Sequence, residues 1–121
     1  MVKKKNIETG AFGEQVVTEY LQSKNSEVLA RNWRVKEGEI DIIALNPSGV
    51  FSFIEVKTRT SVAFGHPLEA INSTKALRMQ RLALAWLATH GCFGCDYQID
   101  AVAVLLHADG SQTIDYRANI L

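Results

Sequence analysis

Gly38-Glu39-Ile40-Asp41-Ile42-Ile43 and Phe53-Ile54-Glu55-Val56-Lys57 set three carboxylates and one lysine inside two apolar runs. In a strand, alternate side chains point to opposite faces, so Glu39 and Asp41 share one face and Glu55 and Lys57 share another. The turn formers Asn46-Pro47-Ser48-Gly49 between the runs predict a hairpin. Pairing Leu45 with Phe51 puts Ile43 opposite Phe53, Asp41 opposite Glu55, and Glu39 opposite Lys57. Opposed side chains in an antiparallel pair have Cβ atoms roughly 4.5–5.5 Å apart, where like charges repel. Flanking apolar strands lower the local dielectric and raise that cost. A divalent cation removes the conflict, which makes the pair a candidate metal site. The bland alternative is a solvated sheet face on which an opposed Glu and Lys form a surface ion pair of little worth. Against it, Ile43, Leu45, Phe51 and Phe53 share the face, and ionisable groups in buried surroundings are rare unless paired or bound to metal.

Working outward, 121 residues form one domain, 1–121, large enough for a core without disulfides or structural metal. With 47% hydrophobic and 21% charged residues, the composition is that of an ordinary globular protein. No apolar run approaches a membrane span, and Lys3-Lys4-Lys5 are not followed by the apolar stretch of a secretory signal. A cytoplasmic location and no membrane partner are the expectations. Net charge is zero, yet eleven of the thirteen basic residues cluster, as Lys3-Lys4-Lys5, Arg31/Arg34/Lys36, Lys57/Arg59 and Lys75/Arg78/Arg81. That patchiness is compatible with a local phosphate-binding groove, or with nothing more than solvated faces.

The periodicity predicts a helix over Thr9–Gln22, with Phe12, Val16, Val17, Tyr20 and Leu21 on one arc and Glu14 at its edge. A weak strand is predicted over Val28–Val35, interrupted by Arg31, Asn32, Trp33 and Arg34; the hairpin strands follow at 39–45 and 50–58. Thr60 to Pro67 reads as a loop with a tight turn at Phe64-Gly65 and an extended, non-ligating His66 before Pro67. A second helix is expected over Ser73–Thr89, capped by Ser73 and stopped by Gly91. Its projected apolar face holds Ala76, Leu77, Met79, Ala83, Leu84, Trp86 and Leu87. Tyr97–Leu106 is apolar enough for a central strand, interrupted by Asp100, which needs a polar partner. Residues 112–116 are a candidate edge strand. Cys92 and Cys95, with no second cysteine pair, read as two reduced thiols in a loop. The fold class is α/β, a mixed sheet flanked by helices.

Asp41 and Glu55 offer hard oxygen ligands, suited to Mg²⁺ or Mn²⁺. Lys57, on the same strand face as Glu55, is placed to orient a water or to stabilise charge on phosphorus. Two acids, a lysine and a metal are the equipment of metal-assisted phosphodiester hydrolysis.

The pattern Asp41 … Glu55-Val56-Lys57 resembles the PD-(D/E)xK signature of restriction-endonuclease-like nucleases. More narrowly, the chain is similar to the YraN-like family of small bacterial proteins, themselves similar to archaeal Holliday-junction resolvases. The residues that carry the resemblance span nearly the whole chain. They include Gly13-Glu14, Arg31-Asn32, Gly38-Glu39-Ile40-Asp41, Glu55-Val56-Lys57-Thr58-Arg59, Phe64-Gly65, Pro67-Leu68-Glu69-Ala70, Lys75 and Asp100. The resemblance implies an α-β-β-β-α-β core. It implies metal ligation by Asp41, Glu55 and the Val56 carbonyl, with Lys57 as catalytic lysine and Glu14 as an auxiliary acid; Glu39 matches a family position among the candidate catalytic residues, with Lys57 or another basic side chain as its expected partner. Gln98 stands where the family usually has an arginine before the late-strand aspartate, so the usual partner of Asp100 is expected to be missing; Tyr116 stands where a histidine is common near the C-terminus.

The expected function is therefore a Mg²⁺- or Mn²⁺-dependent endonuclease acting on DNA, with branched or distorted structures among the candidates. Lys75, Arg59, Arg34 and Arg78 are the candidate nucleic-acid-binding residues, and paired cuts would take a homodimer. The competing expectation is a nucleic-acid-binding module that keeps the nuclease fold without hydrolysis.

Overall fold

A computed structural model of the chain describes residues 2–60 and 66–121. Two helices and five strands follow in the order α1 (Val2–Ser23), β1 (Glu27–Val35), β2 (Gly38–Leu45), β3 (Phe51–Arg59), α2 (Ser73–Thr89), β4 (Tyr97–Leu106) and β5 (Gln112–Arg117). The expected α-β-β-β-α-β order is present, with β5 as a further edge strand. The five strands lie in sequence order in one sheet. β3 and β4 are parallel, with α2 in the connection between them, and every other neighbouring pair is antiparallel. The sheet is thus mixed, as the order of helices and strands predicts, with the apolar run 97–106 inside it.

The helices cover opposite faces. Val16, Val17 and Leu21 of α1 pack on Ile42, Ile54, Val102 and Val104. Met79, Ala83, Trp86 and Leu87 of α2 pack on Ile43, Phe53 and Ile99. Neighbours Ile42 and Ile43 fall in different clusters because strand side chains alternate. The hairpin pairs Leu45 with Phe51 and Ile43 with Phe53, as the sequence predicts.

Several boundaries differ for physical reasons. α1 begins well before Thr9, at Val2. β1 is a weak strand because it is an edge strand, mostly exposed, with a bulge between Val28 and Ala30 and a left-handed Asn32. Asn72, not Ser73, caps α2, its Oδ1 accepting the Lys75 N–H at 2.9 Å. Leu77 and Leu84 are exposed, whereas Leu82, left off the projected face, is buried. Leu82 packs close to Gly38 of the β1–β2 turn, where an added Cβ would fall 3.2 Å from Leu82 Cδ1. A short 3-10 turn over Pro67–Ala70 follows an extended His66, whose Nε2 lies 3.0 Å from an Asp115 oxygen. The predicted turn at Phe64-Gly65 lies outside the described residues. Cys92 and Cys95 are free thiols joined by a backbone turn, the Cys95 N–H donating to the Cys92 carbonyl.

Asp100 is fully buried and well partnered. Gln98 Nε2 donates to both of its oxygens at 3.0 and 3.1 Å, the Asn119 N–H donates at 2.9 Å, and the Tyr116 hydroxyl donates to Oδ2. Both positions that depart from the family pattern therefore serve one carboxylate. Burial, and then the Asp100 charge, push the Tyr116 hydroxyl's pKa far up, which keeps it a donor. No described helix is long and apolar enough to cross a membrane.

Candidate functional site

The β2–β3 ladder runs from Leu45–Phe51 to Ile42–Ile54 and stops, although both strands continue. Backbone groups past that point need other partners. Asp41 supplies one: its Oδ2 accepts the Val56 N–H at 2.8 Å. Glu55 lies beside it on β3, and each of the two residues is only 8% exposed. Lys75, one turn into α2, reaches Glu55 Oε1 at 2.7 Å, and Lys57 approaches the same oxygen at 3.3 Å. Each acid thus has one oxygen engaged by the protein. Asp41 Oδ1 and Glu55 Oε2 have no hydrogen-bond partner among the described residues.

α1 closes the other side. Gly13 packs directly on Thr58 of β3, where an added Cβ would fall 1.8 Å from Thr58 Oγ1. That approach brings Glu14 to the rim of a cleft of about 540 Å³, which Glu39, Asp41, Glu55, Val56, Lys57 and Arg59 also line. Four carboxylates therefore face one space. Burial foremost, then the negative charge of Glu55, with Glu14 and Glu39 adding, push the Asp41 carboxyl up to about 7 against the opposing pull of the Val56 N–H. Burial draws the Lys75 ammonium down, but its bond to Glu55 and the surrounding acids outweigh this and leave its pKa raised.

The predicted residues divide accordingly. Asp41, Glu55, Lys57, Glu14 and Val56 come together, with Lys75 attached through Glu55. Glu39 lines the cleft but is not opposite Lys57: it pairs with Arg34 at 2.7 Å, both side chains well exposed. The ladder ends before that register position, and Ile40 joins Ile43 under α2, so the simple alternation slips between them. Arg34 is thereby held by a carboxylate and does not reach into the cleft. Arg59 borders the cleft, donating Nη1 to the Thr58 carbonyl at 2.8 Å. Arg78 does not; it lies on a smaller neighbouring cleft with Lys75.

Thr58 was not singled out by residue type, yet its Oγ1 is the only buried side-chain polar atom without a hydrogen-bond partner among the described residues. The one available signal was a glycine directly before a helix carboxylate, since close approach is what a mid-helix glycine permits.

Residues 13–104 match the family described as Uncharacterised protein family UPF0102. The chain belongs to UPF0102, the YraN-like family. The UPF0102 protein of Beutenbergia cavernae is 43% identical over 107 residues, covering 88% of this chain and 90% of that one. The relative from Trichlorobacter lovleyi is 36% identical, over 98% of this chain and 94% of its own. The relative from Mycolicibacterium vanbaalenii is 47% identical over 97 residues, 80% of this chain and 79% of its own. Among solved structures, that of Pyrococcus furiosus SfsA in complex with Ca²⁺ is similar at a TM-score of 0.38 and 17% identity, over 94% of this chain and 63% of that one. The UPF0102 match extends from Gly13 past Lys57 and so takes in every acid of the cleft.

Proposed function

We propose that this protein is a metal-dependent nuclease that hydrolyses DNA phosphodiester bonds. One observation supports the reading above the rest. Two nearly buried acids each keep one oxygen free of protein partners while the other is engaged, in a cleft whose remaining acids already disfavour further negative charge. Among the described residues no three His, Cys, Asp or Glu side chains are grouped closely enough to cage an ion. Two carboxylates suit Mg²⁺ or Mn²⁺, which retain waters and take substrate phosphate as further ligand. Asp41 Oδ1 and Glu55 Oε2, with the Val56 carbonyl, are the groups that would hold it. When bound, the cation supplies Lewis-acid stabilisation of charge at phosphorus and lowers the pKa of water.

The chain's own residues do the rest. Lys57, tethered to Glu55 Oε1, presents a cation to the phosphoryl oxygens and orients the attacking water. Lys75, on the same oxygen, keeps Glu55 from turning its other oxygen away. Glu14 stands across the cleft, able to accept a hydrogen bond from that water. Arg59 at the rim meets the DNA backbone, which carries affinity without sequence choice.

The test is a cleavage panel of plasmid, linear duplex, single-stranded and four-way-junction DNA with Mg²⁺ or Mn²⁺. Wild type should cut, and Asp41→Ala and Lys57→Ala should bind DNA without cutting. Binding with no cleavage by any of the three proteins would leave a non-catalytic binding module. Calorimetry that detects no Mn²⁺ uptake by wild type would reject the site.

A further inference from the structure

The acidic cleft does not end at Glu39 and Glu55. Those two residues also wall a second cleft of about 210 Å³, lined by Lys75 and Arg78. Arg78, Leu82 and Glu37 in turn border a third, of about 480 Å³, between α2 and the β1 edge. The three make one track across the molecule, from the acids, over the basic edge of α2, to a groove beside Trp33.

The track changes chemistry along its length. Lys75, Arg78 and Arg81 recur every three residues, so they stay near one side of α2 and span about 9 Å of its axis. Arg78 and Arg81 are exposed and have no ion-pair partner among the described residues, unlike Arg34 and Arg117. Their charge is therefore available to an anion. Below them the groove turns apolar: Leu82, Ala85, Val35 and the half-buried Trp33 form its walls. Its volume lies in the range of pockets that take drug-sized ligands, about 300–1,000 Å³. Cations above an aromatic, apolar slot match a strand with free bases, whose phosphates meet the arginines while a base stacks below. A blunt duplex keeps its bases paired and has none to offer the slot.

We infer that a single strand of DNA runs from the acidic cleft across Lys75, Arg78 and Arg81 and stacks a base in the Trp33 groove, so that the favoured substrate carries an unpaired strand beside the cleavage point. Strand binding at the groove stands without hydrolysis; only the preference in cutting rests on the nuclease reading.

The test measures fluorescence anisotropy in EDTA, with a labelled oligothymidylate of about 15 nucleotides and a blunt duplex of equal length. Wild type should hold the single strand more tightly than the duplex. Arg78→Glu with Arg81→Glu should weaken strand binding about tenfold or more and reduce the salt slope by about 1.4, two single-strand phosphate contacts' worth. Strand binding should quench the tryptophan emission of wild type. Trp86 is buried, so Trp33→Phe should abolish that quench with far-UV circular dichroism unchanged. Equal affinity for strand and duplex, an unaffected charge-reversal variant, or unquenched emission would each overturn the inference. A forked duplex should also be cut faster than a blunt one, and the charge-reversal variant should lose the difference. Strand binding at the groove with no cutting of any substrate would reject the nuclease reading and leave the groove standing. Equal cutting of fork and blunt duplex would reject the groove's role and leave the nuclease standing.

Discussion

Alanine at Gly13 is expected to destabilise the protein, while alanine at Gly10, in the preceding turn of the same helix, is expected to stabilise it. Helix propensity alone favours alanine over glycine by about 1 kcal/mol at either position. At Gly10 nothing lies within 4 Å of an added Cβ, so the propensity gain should appear, at about 0.5–1 kcal/mol. At Gly13 the Cβ would meet Thr58 Oγ1 at 1.8 Å, its Cβ at 2.9 Å and its Cγ2 at 3.1 Å. Comfortable contact between heavy atoms begins near about 3.5 Å, so α1 must retreat by more than about 1 Å. Thr58 cannot rotate away freely, because a β-branched side chain is stiff at χ1. Overpacking of this kind costs about 1–3 kcal/mol and outweighs the propensity gain. The propensity gain is common to both, so the two variants should differ by the overpacking cost alone, about 1–3 kcal/mol, or roughly 3–15 °C in Tm for a domain of this size. Urea and thermal unfolding followed by far-UV circular dichroism measure both. Thr58→Ala should restore part of the loss in the Gly13→Ala background, since Oγ1 and Cγ2 go while the 2.9 Å contact stays. Gly13→Ala as stable as Gly10→Ala would refute the reasoning, and with it the claim that this contact seats Glu14 at the cleft.

Asp41→Asn should stabilise the metal-free protein. With its pKa raised to about 7, folded Asp41 keeps its proton after the unfolded chain has lost it, so wild-type stability falls as pH rises from about 4 to about 7. Asparagine can still accept the Val56 N–H, so the variant's advantage should be absent near pH 3.5, grow through that window, and reach at most about 4 kcal/mol. An advantage independent of pH, or none at pH 8, in melts with EDTA would contradict this. Adding Mn²⁺ should raise the Tm of wild type and leave that of Asp41→Asn unchanged. Tyr116→Phe removes a hydrogen bond to a buried carboxylate and should cost about 1.5–3 kcal/mol in urea unfolding. Lys75→Met should lower both Mn²⁺ affinity by titration calorimetry and the cleavage rate by loosening Glu55, with DNA affinity reduced far less; an unchanged Mn²⁺ isotherm would show that Lys75 does not position Glu55.

Local pattern was sufficient for α2, β4 and the Leu45–Phe51 hairpin register, because each follows from an apolar period and a turn that neighbouring residues specify among themselves. The sequence puts Asp41 and Glu55 on neighbouring strands, but the β2–β3 ladder ends at Ile42–Ile54, one position short of them, and the contact there is Asp41 Oδ2 accepting the Val56 N–H. Sequence periodicity could not say where the ladder would stop, and that decided Glu39: past Ile42 and Ile54 the pairing ends, and Glu39 turns to Arg34. Nor could it rotate α2 correctly. Which leucines are buried depends on how α2 seats on the sheet, where Leu82 packs beside Gly38, 44 positions away in the chain. Glu14, Lys75 and the Trp33 groove belong to the same class of fact. They lie on helices and an edge strand whose meeting with the sheet is settled by packing, and packing joins residues that no local spacing relates. The amino-acid order thus determined the chemistry on offer, two acids and a lysine on paired strands. Tertiary structure alone decided which oxygens stay free and which cations reach the others.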